Sequence, residues 1–95
     1  MESRVIVSKP IRFILDVLVE SGQLSHVSTE LARLPEVFEL YEVTGVADLR
    51  ALIRTESLSD FRTLLGGKIL KIRGVRTTVS SVILFAGKEN SKLSS

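Results

Sequence analysis

Twice along this chain the apolar residues change their spacing from every second position to a helical period, and then change back. The segment IRFILDVLV, starting at Ile11, is β-branched and aromatic, and its alternation puts Phe13, Leu15, Val17 and Val19 on one side. Ile14 and Leu18 fall on the other side with Arg12 and Asp16. Ser21 and Gly22 break that strand. The next segment, QLSHVSTELARL, carries Leu24, Val27, Leu31 and Leu34 at steps of three, four and three, which predicts an amphipathic helix ended by Pro35.

The cycle then repeats. VFELYEV reads as a second strand, and DLRALIRT as a third, with Leu49, Ala51 and Ile53 alternating against Asp48, Arg50, Leu52 and Arg54. Ser57, followed three residues later by Asp60, fits a capped helix start. Leu58, Phe61, Leu65, Ile69 and Ile72 trace the apolar stripe of that second helix. Gly66 and Gly67 fall inside it and weaken it by about 1 kcal/mol each relative to Ala. Gly74 closes the following turn, and VRTTVSSVILF is the last strand. The expected strands lie near 11–19, 36–43, 47–55 and 75–85, and the expected helices near 23–34 and 58–72.

This order, β-α-β-β-α-β, predicts an α+β, ferredoxin-like βαββαβ domain with an antiparallel four-stranded sheet and both helices on one face. The other face cannot be wholly polar. Phe38 and Leu40 oppose Val37, Tyr41 and Val43, and Ile83 and Phe85 oppose Val82 and Leu84, so both sides of these strands carry apolar residues. Two small helices cannot cover two faces, and a sheet-to-sheet homodimer is the simplest remedy. The chain divides into an N-terminal arm over 1–10, one ligand-binding and oligomerisation domain over 11–86, and a polar tail over 87–95.

Ninety-five residues make a single small domain, and the absence of cysteine removes disulfides, zinc–thiolate sites and thiol nucleophiles. Thirteen basic against eleven acidic side chains give a formal charge of +2, which is not a nucleic-acid footprint. Lys68, Lys71, Arg73 and Arg76 form a local basic cluster of the kind that complements a helix C-terminus. MESRVIVSKP is a poor signal peptide and no stretch is long enough to span a membrane, so a cytoplasmic location is expected.

Catalytic parts are scarce. His26 is the only histidine and stands four residues from Glu30, which reads as a surface pair. Ser80 and Ser81 lie on a strand with no base in sequence view, and Tyr41 is the only tyrosine in a chain without tryptophan. No catalytic residue, metal site or cofactor is expected, and stacking of several bases is poorly supported.

The stretch VTGVAD, Val43 to Asp48, joins the second and third strands. Turn chemistry accounts for it: Gly45 can take a positive φ, and Asp48 can bond nearby backbone. In the longer context PEVFELYEVTGVADL, however, the chain resembles the C-terminal regulatory (RAM) domain of the Lrp/AsnC transcriptional regulators. The resemblance covers roughly Ile11 to Phe85 and is strongest over Glu39 to Leu49, with support from KIRGVRTTVSSVILF. Family members often carry Pro-Gly-Val before the last strand, where this chain has Arg73 in place of the proline.

That resemblance implies an amino-acid or small-metabolite effector held between dimers of an oligomer. The loop residues Val43, Thr44, Gly45, Val46, Ala47 and Asp48 would offer backbone groups to the effector, and Thr78 and Ser80 would lie near the same pocket. Gly45 would admit a zwitterion close to the backbone, and Asp48 would accept from its ammonium. Full-length members also carry a helix-turn-helix domain, which ten residues cannot hold. The resemblance therefore implies a stand-alone effector-binding module, acting as a homodimer that assembles further, without direct sequence-specific DNA binding. Mixed assembly with a full-length relative would let it modulate transcription. A small ferredoxin-like enzyme acting on an organic metabolite and a purely structural oligomerisation module are the two alternatives.

Overall fold

The computed structural model describes residues 9–89. Its elements run β1 (Ile11–Val19), α1 (Leu24–Ala32), β2 (Val37–Glu42), β3 (Leu49–Thr55), α2 (Leu58–Gly67), a single 3₁₀ turn (Ile69–Lys71) and β4 (Val75–Val82). The sheet order is β2-β3-β1-β4, every pairing antiparallel. This is the ferredoxin-like α+β arrangement that the two changes of period predict. The expected arm over 1–10 and tail over 87–95 lie outside the described residues, apart from Lys9, Pro10 and residues 87–89.

Alternation decides which side chains of the central strands are buried. Phe13, Leu15 and Val17 of β1 and Leu49, Ala51 and Ile53 of β3 are fully buried against Val27 and Leu31 of α1, Phe61 and Leu64 of α2, and Ile69. Phe13 and Phe61 stack with ring centroids 3.9 Å apart. Ser57 caps α2 as expected, its side chain accepting from the Asp60 N–H at 3.0 Å. Gly74 is required where it stands. Its φ is +103°, and a Cβ there would meet the Gln23 Cβ at 2.5 Å, so the turn after the 3₁₀ segment can press against the start of α1.

Four local expectations need correction. A bulge between Val37 and Glu39 inserts an extra residue in β2, so Val37 opposes Ile53 while Leu40 opposes Ala51. Val37 and Leu40 therefore both pack on the core, and Phe38 is left beneath the Arg54 guanidinium at 4.6 Å. The second helix does not run to 72. It ends at Gly67, Lys68 leaves helical geometry (φ −127°, ψ −55°), and the 3₁₀ turn buries Ile69. Two glycines at one point make continuation of the helix costly, and the break redirects the chain.

The last strand ends at Val82, which pairs with Phe13 near the start of β1. The Ile83 N–H still donates to the Arg12 carbonyl at 2.9 Å, but Leu84 and Phe85 run past the sheet, 92% and 85% exposed. Finally, Glu30 pairs not with His26 but with Arg33, three residues further along, at 3.2 Å. Arg33 brings a formal charge and a fork of donors to that carboxylate.

Candidate functional site

The loop over 43–48 is a closed turn. The Val43 N–H donates to the Asp48 carbonyl at 3.1 Å, and Gly45 takes φ +115°. A Cβ on Gly45 would meet nothing within 4 Å, so backbone conformation, not crowding, calls for glycine there. Val46 projects outward at 90% exposure, whereas Ala47 tucks inward.

Asp48 is engaged by its own chain. Its N–H donates to the Val17 carbonyl at 3.0 Å, and its Oδ2 accepts from the Val19 N–H at 2.9 Å. The last β1–β3 rung is Val17 opposite Leu49, so this side chain satisfies a strand N–H just beyond the ladder. A role in holding the end of β1 was not visible in the turn chemistry of VTGVAD alone.

Beside the loop, on the sheet face away from the helices, lies a cavity of about 440 Å³. The loop contributes Val43, Thr44, Val46 and Ala47, and the sheet contributes Asp16, Leu18, Arg50 and Val79. Register explains this grouping, because Asp16 stands opposite Arg50 on one side and Val79 on the other. The Arg50 Nε donates to Asp16 Oδ1 at 2.7 Å and its Nη2 to Oδ2 at 3.2 Å, a bidentate pair. Hydrogen bonding to Asp16, reinforced by its charge, raises the Arg50 pKa above its ordinary value. In the same row Tyr41 opposes Arg50, and its hydroxyl donates to Glu39 Oε1 at 3.0 Å.

The eight candidate residues do not form one cluster. Val43, Thr44, Val46 and Ala47 line the cavity, while Gly45 and Asp48 shape its loop. Thr78 and Ser80 pair with Val17 and Leu15, whose side chains point to the helices, and so lie on the opposite side of β4 from Val79. Asp16, Leu18, Arg50 and Val79, which complete the cavity wall, were not among the candidates read from the sequence. Their signal was the charged and apolar mixture on the second strand face, but only strand register brings them together. Among the described residues, no group of three or more His, Cys, Asp or Glu side chains is placed to hold a metal ion.

Residues 12–93 of the chain match a family model described as the Lrp/AsnC ligand binding domain. The chain belongs to that family. It is 40% identical over 84 residues to the HTH-type transcriptional regulator FL11 of Pyrococcus horikoshii, covering 85% of this chain and 52% of that protein. The FL11 regulator of Pyrococcus furiosus is 37% identical over the same shares. The chain thus spans about half the length of the curated relatives it matches. Among solved structures, TTHA0845 from Thermus thermophilus superposes with a TM-score of 0.78 at 26% identity, covering 83% of this chain and 99% of that one. Both of these relatives are HTH-type transcriptional regulators. Among the described residues no helix is long and apolar enough to cross a membrane.

Proposed function

We propose that this chain is an effector-binding module that takes an amino acid or a related small metabolite at the 43–48 loop, and modulates transcriptional regulators through oligomerisation. The observation that carries this reading is the cavity of about 440 Å³ where Val43, Thr44, Val46 and Ala47 of the loop meet the Arg50–Asp16 ion pair. A zwitterion presents the complementary pair of charges, and the turn around Gly45 leaves its backbone open to a ligand.

The open sheet face supplies the oligomer. Ile14, Leu18 and Leu52 stay half-buried there, and Tyr41 and Val79 are exposed, a mixture of apolar and polar surface suited to a second copy. A copy packed on that face would roof the cavity and complete the site, and further assembly or mixed assembly with a full-length relative would pass the effector's presence to DNA. Direct sequence-specific DNA binding is no part of this role.

Titration calorimetry with a panel of L-amino acids, paired with sedimentation at low micromolar concentration, tests the reading. A dimer or larger species that binds an amino acid without converting it is the expected result. Gly45→Val, strained at φ +115°, should abolish binding. An oligomer that binds none of the panel leaves the structural module, a stable monomer that binds none sinks both readings, and turnover of a metabolite would favour the enzyme.

A further inference from the structure

A second cavity, of about 660 Å³, opens at the other end of the sheet from the 43–48 loop. Its walls come from Pro10 before β1, Glu36 before β2, the end of β3, and the face of α2 that ends in Gly67 and Lys68. Glu36 lines it, and Glu36 Oε1 is buried and has no hydrogen-bond partner. A carboxylate oxygen only accepts, and burying one without a donor is unfavourable by more than an ordinary hydrogen bond returns.

Arg54, Thr55, Thr63 and Lys68 carry donors along this cavity, but none of them forms a hydrogen bond to that oxygen. The Arg54 guanidinium lies over the Phe38 ring, and the Arg54 N–H is spent on the Glu36 carbonyl at 2.9 Å, which pins the Glu36 backbone in place. The Thr55 hydroxyl donates to the Ser57 carbonyl at 2.7 Å. Pro10, Leu64 and Gly67 add an apolar wall, and a Cβ on Gly67 would meet nothing within 4 Å, so room is left beside the helix end.

These features select a ligand class. A metal ion needs several oxygen or nitrogen ligands, and among the described residues no His, Cys, Asp and Glu group of that size exists. A guanidinium fork is best matched by two carboxylate oxygens, whereas one orphaned oxygen suits a point donor on a flexible stem. We propose that this cavity binds a small organic molecule through a primary ammonium group seated on Glu36, with its apolar stem along Leu64 and Gly67. This site does not depend on the effector reading of the 43–48 loop.

Amide chemical-shift titration of the full chain tests it, with n-butylammonium chloride as the probe and n-butanol as its neutral isostere. The ammonium should produce saturable shifts at Thr55, Thr63 and Gly67, leaving Gly45 unmoved, and the alcohol should produce none. Glu36→Gln, which keeps the side chain's shape, should weaken binding by about tenfold or more. Gly67→Val, filling the cavity from the helix end, should block it without touching Glu36. Absence of saturable shifts in the wild type, equal binding of the alcohol, or shifts confined to Gly45 and its neighbours overturns the proposal. So does unchanged affinity in a folded Glu36→Gln; if that variant does not fold, unchanged affinity in Gly67→Val decides against it.

Discussion

The two faces of the sheet are built from the same strands but held by different means. Toward the helices, Phe13, Leu15, Val17, Leu49, Ala51 and Ile53 lose all contact with solvent. Away from them, Ile14, Leu18 and Leu52 keep part of their surface exposed around the Asp16–Arg50 pair. Packing of apolar atoms stabilises the first face strongly and without direction. An exposed ion pair stabilises the second only weakly, but it fixes what can be placed against it. One face therefore makes the fold, and the other is left open with apolar and charged side chains mixed.

The sharpest way to break that contrast is to truncate one residue on each face. Leu15→Ala should cost about 2–5 kcal/mol in urea unfolding, since the cavity it leaves lies in the closed core. Ile14→Ala should cost clearly less in dilute protein, and its cost should grow with protein concentration if the open face meets a second copy. Equal, concentration-independent losses at the two positions would erase the distinction.

A smaller effect is expected where the two faces meet, at the end of β1. Asp48→Ala leaves the Val19 N–H without its protein acceptor and should cost about 0.5–1.5 kcal/mol, seen also as faster hydrogen exchange at Val19. Asp48→Asn keeps an acceptor oxygen and should recover much of the loss. If Ala and Asn variants behave alike, the bond to Val19 is not what holds this corner.

The least effect belongs to the exposed row on the open face. The hydrogen bond from Tyr41 to Glu39, reinforced by the Glu39 charge, raises the phenol's pKa from its ordinary 10.0. The proton given up is the one that makes the bond, so this contribution is present below the ordinary value and lost as pH rises through the raised one. Glu39→Gln should bring the phenolate absorbance transition to lower pH; an unmoved transition would mean that the pair does not persist in solution.

Much of this architecture could be read from spacing alone. The switch from Val19 to the Leu24–Val27–Leu31 stripe marks the first helix, and Ser57 with Asp60 marks the start of the second, because both signals are local. The bulge at Phe38 was hidden, since with apolar residues on both sides of β2 a one-residue insertion leaves the alternation looking intact. At the candidate site the turn around Gly45 was legible for the same local reason. The meeting of Asp16 with Arg50 was not, as it depends on the register of strands 34 residues apart in sequence. Glu36 was passed over entirely, because a glutamate ahead of a strand ordinarily sits in solvent and nothing in its neighbours announces a buried oxygen.

The bond from Val19 to Asp48 carries a further consequence. A side chain can exchange one partner for another while the main chain stays where it is, so this corner of the sheet is latched by a group that can be recruited away. Any ligand donor that takes Oδ2 competes with the protein's own amide, and its affinity is reduced by the bond it displaces. The released amide belongs to the residue at which β1 changes register against the edge strand β4. Occupancy at the loop would then be registered as slackening at the rim of the sheet, a signal carried by one hydrogen bond.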